Sequence, residues 1–358
     1  MRSTQLIINL NNIEKNIDSI RKYLGNSVEI MPIVKANGYG THLNYCADIL
    51  NQFNYVGVAL LDEAIQLRNN GYKNNIFILY PLSSSELKIA IKEKFIINGS
   101  NIFELIDDST DTIKIHLEIE TGMGRTGLQE SNIEQYIDML KSNKNIIVDG
   151  IFTHLSSSGS DKLFSMNQIN KFERIVKKFA DNNINPKYKH ICCSGGLNNY
   201  KDYVYNMVRI GLLIYGYYPN DSLKDKIDLK PSMTLKTNIS FLKEINAGDT
   251  IGYNQNFIAK RKTLVATIPF GFADGLIGLE TGKPYVIVKN KFAKIIGICM
   301  DNMMLDVTNI QDISVGDEVY IWDNDELTIE EIGDWCNGIC NYEVMTSITE
   351  RVPRILKK

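Results

Sequence analysis

The stretch VEIMPIVKANGYG, residues 28–40, begins as a nearly unbroken apolar run and ends in a lysine followed by a turn rich in glycine. A run apolar on both sides of its backbone suits a strand buried on both faces, as in parallel sheets covered by helices. Seven more short runs follow: NYVGVAL (54–60), NIFILY (75–80), KFIIN (94–98), IKIHLEI (113–119), IIVDGIF (146–152), YKHICC (188–193) and VRIGLLI (208–214). Between most of them lies room for a helix, as in DEAIQLRNN (62–70) and NQINKFERIVKKFADN (167–182). Eight strands alternating with helices over about 200 residues is the pattern of a (β/α)8 barrel. A doubly wound sheet is the competing arrangement, and the count of eight favours the barrel.

Upstream, Ile13, Ile17, Ile20 and Leu24 fall on one face at helical spacing, and Gly25 is a natural stop. Downstream, the polar stretch PNDSLKDKIDLKP (219–231) marks a boundary. After Pro231 come SMTLKTNISFLKEI (232–245), AGDTIGYNQNF (247–257), TLVATIPFGF (263–272), PYVIVKN (284–290), KFAKIIGICM (291–300) and VGDEVYIW (315–322). These are β-rich segments broken by Gly, Asn and Asp, and helical spacing mostly disappears apart from IEEIGDWC (329–336). The expected organisation is an α/β barrel over 1–230 and a mainly antiparallel β-domain over 231–358, with the segment before the first helix pairing with the second domain.

The chain has 358 residues, enough for two cores. A net charge of -3 points to neither nucleic acid nor membrane as a partner. No apolar run approaches the roughly 18 residues of a membrane span, and the N-terminus MRSTQLIINLNN is too polar for a signal peptide. A cytoplasmic location is therefore expected. The six cysteines, Cys46, Cys192, Cys193, Cys299, Cys336 and Cys340, form no C-x2-C metal pair and are expected to be reduced thiols, with no metal site.

In a (β/α)8 barrel, chemistry sits where the strands end. Those ends carry Lys35, Glu118 running into TGMGR with Arg125, His154 in THLSSSG, Ser194 in CCSGG, and Arg209 with Gly211 in VRIGLLIYG. Lys35 stands out. A lysine on a rigid element beside a buried pocket loses proton affinity through desolvation, and the neutral amine can form a Schiff base. A strand-end lysine reaching out to water is the plainer reading of that one residue. The small residues at 194–196 and 211 offer backbone N–H groups where barrels usually bind phosphate, and each glycine also suits an ordinary turn.

Seven segments, in order, carry a resemblance: IVKANGYG (33–40), ETGMGRTG (120–127), FTHLSSSG (152–159), VRIGLLIYG (208–216), GDTIGYNQNF (248–257), GICMDNMMLDV (297–307) and RVPR (351–354). Together with INLNNIEKNI (8–17) they resemble the alanine racemase family over nearly the whole chain. The resemblance implies a barrel with a C-terminal β-domain, pyridoxal 5'-phosphate as cofactor, and a head-to-tail homodimer with shared sites. By motif match, Lys35 would carry the cofactor covalently. Tyr39, Ser194 and the backbone near Gly211 and Leu212 would hold its phosphate. His154 would lie beside the pyridine ring, and Arg209 would face the pyridine nitrogen. Arg125 would reach the cofactor's phenolic oxygen and the substrate carboxylate. Tyr253 and Met300 would come from the partner copy.

The implied activity is an isomerase reaction, the interconversion of L- and D-alanine that supplies D-alanine for peptidoglycan. The α-proton must leave one face and return on the other, so two bases are expected: Lys35 for the D-isomer and Tyr253 of the second copy for the L-isomer. Tyrosine is a poor base at its ordinary pKa of about 10, so nearby positive charge must favour its phenolate, and Arg209 and His154 are expected to supply that field. Two positions depart from the family. Glu118 stands seven residues before Arg125, where many members have a lysine modified by carbon dioxide; it is expected to face the barrel mouth and pair with Arg125. Glu350 stands just before RVPR, where a tyrosine is common. A shorter acidic residue there makes the pocket larger and more polar, which favours serine as an additional substrate. The alternatives are that Glu350 turns outward toward Arg351 or Arg354, or that Thr349 takes the place. Rival functions are a serine, broad-specificity or basic amino-acid racemase, a pyridoxal-phosphate barrel decarboxylase, and a non-catalytic cofactor-binding protein.

Overall fold

All eight apolar runs become parallel strands. In the computed structural model, which describes residues 2–106, 111–276, 278–279 and 284–358, the first strand is β1 (Gln5–Asn9), followed by β2 (Glu29–Pro32), β3 (Tyr55–Val58), β4 (Asn75–Ile78), β5 (Ile96–Asn98), β6 (Ile113–Glu118), β7 (Ile146–Phe152), β8 (Tyr188–His190) and β9 (Met207–Ile210). Strands β3 to β8 pair in sequence order as one parallel sheet, and β2 pairs with β9. Two bridges close the ring. Ile33 bridges to Gly57, with Val34 N–H donating to the Gly57 carbonyl at 2.9 Å, and Cys193 bridges to Arg209, with Arg209 N–H donating to the Cys192 carbonyl at 3.1 Å. The result is an eight-stranded barrel. Its outer helices include Leu61–Asn69, Ser84–Lys92, Ile133–Ser142 and Lys162–Asp181.

The helix Leu10–Leu24 buries Ile13, Ile17 and Ile20 and stops at Gly25, whose φ of 78° suits a residue without Cβ. Several predicted runs outlast their strands, among them YKHICC, whose strand ends at His190, and VRIGLLI. VRIGLLI leaves the strand at Ile210, and Leu212–Tyr215 is a 3-10 turn. All four of its side chains are buried, so hydrophobicity alone did not distinguish the turn from more strand.

The chain divides into two units. One contains Glu14–Gly38 and His42–Leu229, and the other Met1–Ile13, Tyr39–Thr41 and Lys230–Lys358. The second unit is built on a nine-stranded sheet. Its later strands are β10 (Met233–Asn238), β11 (Phe241–Ile245), β14 (Thr263–Ile268), β15 (Tyr285–Val288), β16 (Lys291–Ile298), β17 (Met303–Asp306), β18 (Glu318–Trp322) and β19 (Arg354–Lys357); a separate hairpin joins β12 (Thr250–Ile251) and β13 (Phe257–Ile258). The large sheet runs β11-β14-β17-β16-β15-β18-β10-β1-β19. All its pairings are antiparallel except that of β1 with β19. β10 alternates buried and half-buried residues, the signature of a strand with one covered face. Val265 and Ile296 pack with Ile245, Ile251 and Ala259. Two helices, not one, accompany the sheet. Ile329–Trp335 is capped by Thr328, and Asn341–Ser347 follows. The second is a two-turn segment that buries only Val344 and Met345, too little to print a helical stripe on the sequence. All six cysteines are free, and among the described residues no helix is long and apolar enough to cross a membrane.

Candidate functional site

Lys35 stands just beyond β2 at the start of an unusual turn. Ala36, Asn37, Gly38, Tyr39 and Gly40 have φ of 52°, 52°, 62°, 57° and 77°. Left-handed backbone costs an L-residue about 1–2 kcal/mol, so three non-glycine residues here need external support. Gly38 N–H donates to the Val34 carbonyl at 2.9 Å and His42 N–H to that of Asn37 at 2.8 Å. Ala36 N–H donates to Glu63 Oε1 at 2.6 Å, while Glu63 Oε2 accepts from Ala59 and Leu60 N–H at 2.8 and 3.1 Å. One carboxylate thus ties the turn after β2 to the loop after β3. Burial, and then the charge of Arg125, pull the Lys35 amine below its ordinary pKa, with Arg209 adding to the effect and Glu63 opposing it.

Arg209, at the end of β9, is only 4% exposed. Its Nη1–H groups reach His190 Nδ1 at 2.7 Å and the His190 carbonyl at 2.9 Å. Nη2 donates to the Thr153 carbonyl at 2.8 Å and the Ile191 carbonyl at 3.2 Å, and lies 3.3 Å from His154 Nδ1. The guanidinium also lies over the Phe152 ring, 5.2 Å from its centroid. His154 is held neutral. Burial first, then the charges of Arg209, Arg125 and Lys35, push its pKa down to about 3. This corrects one expectation: near neutral pH His154 contributes no positive field, because burial and the neighbouring cationic side chains disfavour its proton. Ser194 Oγ accepts Gly211 N–H at 3.2 Å, so the turns after β8 and β9 meet, and Leu212 follows directly.

On β6, Glu118 is buried at 3% exposure. Its Oε2 accepts from Asn98 Nδ2 at 2.8 Å and Thr126 Oγ1 at 2.6 Å, and its Oε1 lies 3.4 Å from Arg125 Nη2. Arg125 also lies 5.9 Å from the Tyr80 ring centroid. The barrel unit therefore gathers Lys35, Glu118, Arg125, His154, Ser194, Arg209, Gly211 and Leu212 at the C-terminal ends of its strands.

The other four predicted residues belong to the second unit. Tyr39 is buried, with its ring 5.8 Å from that of Tyr342. Tyr253 is 64% exposed on a turn where Gly252, Asn254 and Gln255 all have positive φ, and Met300 is 53% exposed. Glu350 is exposed and its charge acts on Arg354, while Arg351 is engaged by Asp301 at 2.6 Å. Thr349 gives its hydroxyl to the Ala273 carbonyl at 3.0 Å.

Sequence reasoning missed Glu63, Asn98, His116, Asp149 and His190. His116 shares the strand face of Glu118 two residues on, and Asp149 interrupts an apolar run, so both carried a signal: a polar residue on an otherwise buried face.

Two family models match. "Alanine racemase, N-terminal domain" covers residues 8–219, and "Alanine racemase, C-terminal domain" covers 232–356. Alanine racemase 1 of Clostridium acetobutylicum is 36% identical, over 98% of this chain and 94% of that protein. Alanine racemase 2 of Caldanaerobacter subterraneus subsp. tengcongensis is 33% identical over 99% and 95%. Among solved structures, the alanine racemase of Clostridium difficile 630 superposes with a TM-score of 0.93 at 31% identity, covering 99% of this chain and 96% of that one. The same protein in complex with cycloserine gives 0.91 at 29%, covering 99% and 96%.

Proposed function

The chain belongs to the alanine racemase family, and on that premise we propose that it interconverts L- and D-alanine with pyridoxal 5'-phosphate, as a homodimer whose copies complete each other's sites. One observation carries the reading: Lys35 is a half-buried amine with a depressed pKa, fixed at the start of a strained turn among Arg125, Arg209 and His154.

The residues suit the cofactor group by group. An aldehyde needs an amine that gives up its proton, and burial and the charge of Arg125 move Lys35 in that direction. A phosphate needs donors, and the Ser194 hydroxyl keeps its own proton while accepting from Gly211. We assign Tyr39 and the backbone near Leu212 to the same phosphate. A pyridine nitrogen needs a donor, and Arg209 is donor-only.

Pyridoxal phosphate, when bound, supplies an electron-withdrawing ring conjugated to the substrate nitrogen, which acidifies the α-proton. The protein must then move that proton between two faces. In our reading Lys35 Nζ takes it from the D-isomer, and the phenolic oxygen of the partner subunit's Tyr253 takes it from the L-isomer. The exposure of Tyr253 in a single copy supports this assignment. With His154 neutral, arginine is left to favour the phenolate. Arg209 stays protonated, so it would hold the ring nitrogen by a hydrogen bond without giving up its proton. Electron withdrawal is thereby restrained, and side reactions such as transamination with it. Arg125 orients the substrate carboxylate, and Met300 from the partner lines its path.

The test is to incubate the cofactor-loaded enzyme with L-alanine alone and D-alanine alone and follow optical rotation. Both should decay to the racemic value. Retained rotation with either isomer, with the cofactor bound to Lys35, overturns the reading.

A further inference from the structure

Side chains from five barrel strands meet in a single file through the interior. Arg209 on β9 donates to His190 Nδ1 on β8 at 2.7 Å. His190 Nε2 lies 2.9 Å from His116 Nδ1 on β6. His116 Nε2 lies 3.5 Å from Asp149 Oδ2 on β7, and that oxygen accepts from the Tyr55 hydroxyl on β3 at 2.8 Å. β3 and β7 are not neighbours in the sheet, so the last contact crosses the lumen.

The file has a fixed direction. A guanidinium has only N–H groups, so His190 Nδ1 must accept. Its proton therefore sits on Nε2 and is donated to His116 Nδ1. His116 in turn carries its proton on Nε2, aimed at Asp149. Burial lowers the pKa of both imidazoles, which remain neutral. Burial works against the charge of Asp149, yet the hydrogen bonds from His116 and Tyr55 outweigh it and hold the carboxyl below its usual value, with Lys114 adding to the effect.

The packing is specific to this arrangement. The His190 ring lies parallel to Phe152, 4° from coplanar, with centroids 4.9 Å apart. Phe77 lies 4.7 Å from His116. A Cβ at Gly150 would come within 2.5 Å of His116 Nδ1, so glycine there keeps room for the imidazole.

We infer that Asp149, His116 and His190 are positioning residues for Arg209: a directed hydrogen-bond chain that ties the catalytic guanidinium to a carboxylate midway along β7. Two neutral imidazoles carry the polarity between the two charges, and Arg209 is held at one angle while its other N–H groups engage carbonyls. The inference rests on the reading of Arg209 as the partner of the ring nitrogen.

The chain has only four histidines, so histidine-selective 15N labelling of the cofactor-loaded dimer resolves the file directly. Both His116 and His190 should be protonated at Nε2 alone, without titrating between about pH 5 and 8. Asp149→Asn, which keeps shape and removes charge, should shift the His190 Nε2 signal two links away. It should also lower kcat about fivefold with KM for alanine changed less than about twofold, and Asp149→Glu should restore part of the loss. A merely structural role for Asp149 would lower Tm and leave the His190 signal in place. If Asp149→Asn does not fold, Tyr55→Phe, which removes one donor from the same oxygen, should move the His116 signal. A proton on His190 Nδ1, a protonated His190 at neutral pH, or unchanged signals and kcat in the folded variants overturns the chain. Because the nitrogen spectra need no turnover, an enzyme that fails to racemise alanine but shows these tautomers refutes the proposed function and leaves the chain intact.

Discussion

Glu118 faces Arg125 at 3.4 Å, while its shorter hydrogen bonds come from Asn98 and Thr126 at 2.8 and 2.6 Å. A strong charge-assisted pair is closer, at about 2.7–2.9 Å. Glu118 is thus held by its neighbours and presents its charge to Arg125. Glu118→Gln should lower kcat/KM about three- to tenfold, and bicarbonate should not affect the parent enzyme, since no lysine is there to be carbamylated. Full activity in the Gln variant removes the role.

Lys35→Ala should abolish both racemisation and the borohydride-reducible bond to the cofactor. Depression of the Lys35 pKa by burial and Arg125 is the basis. A purified variant that still fixes pyridoxal phosphate reducibly and turns over normally would show that another amine does the work.

Tyr253→Phe should act unevenly. Solvent-deuterium exchange of L-alanine should fall steeply, while exchange of D-alanine persists in part. Mixed dimers of Lys35→Ala and Tyr253→Phe chains should regain one working site, because one of the two sites then draws an intact Lys35 from one chain and an intact Tyr253 from the other. Equal loss with both isomers, or no recovery in the mixture, rules out a second base donated across copies.

His154 is held near 3 by burial and neighbouring cations, against about 6.5 in an unfolded chain. Between those values the unfolded state binds a proton that the native state refuses, so stability falls as pH drops below about 6.5 and stops falling from this source near 3. His190 and His116, both lowered, act in the same direction. At pH 5 the His154 contribution is on the order of 1–2 kcal/mol. In urea titrations at pH 7 and pH 5, His154→Gln should lose less stability on acidification than the parent. An equal loss would show that His154 is protonated in the native state.

Glu350 is exposed within one copy and acts electrostatically on Arg354. If a partner copy encloses it in the pocket, Glu350→Tyr should lower kcat/KM for serine relative to alanine more than twofold, about 0.4 kcal/mol. Ratios for serine, lysine and alanine that stay within twofold place Glu350 outside substrate selection.

The barrel was legible because most of its strands are buried on both faces and so print a nearly continuous apolar run. The same reasoning overextended the last strand, since Leu212–Tyr215 is just as buried in a 3-10 turn. The lysine, the two arginines and the glutamate of the mouth were found because strand ends are where such residues gather. The file behind Arg209 was harder to see. His116 and His190 lie within apolar runs, and only cross-strand geometry distinguishes a connected pair from two isolated core histidines. Glu63 looked like an ordinary first-turn helix residue, and its grip on the turn after Lys35 is a tertiary contact between two loops. No sequence pattern announces five successive positive φ values, although the asparagine and glycines of ANGYG are the residues that accept them most readily.

The place of β1 between β10 and β19 sets a timetable for synthesis. Gln5–Asn9 leaves the ribosome before either of its neighbours, with Leu6 and Ile8 destined for full burial. Its antiparallel neighbour begins at Met233 and its parallel neighbour at Arg354. At 5–20 residues per second the first strand waits about 10–45 s for β10. The second neighbour follows about 120 residues after the first. Until then a hydrophobic segment with unpaired backbone edges is open to nascent neighbours on the same message. Stalling or truncation before Arg354 therefore leaves the first-made strand of the sheet without one side, however complete the barrel already is.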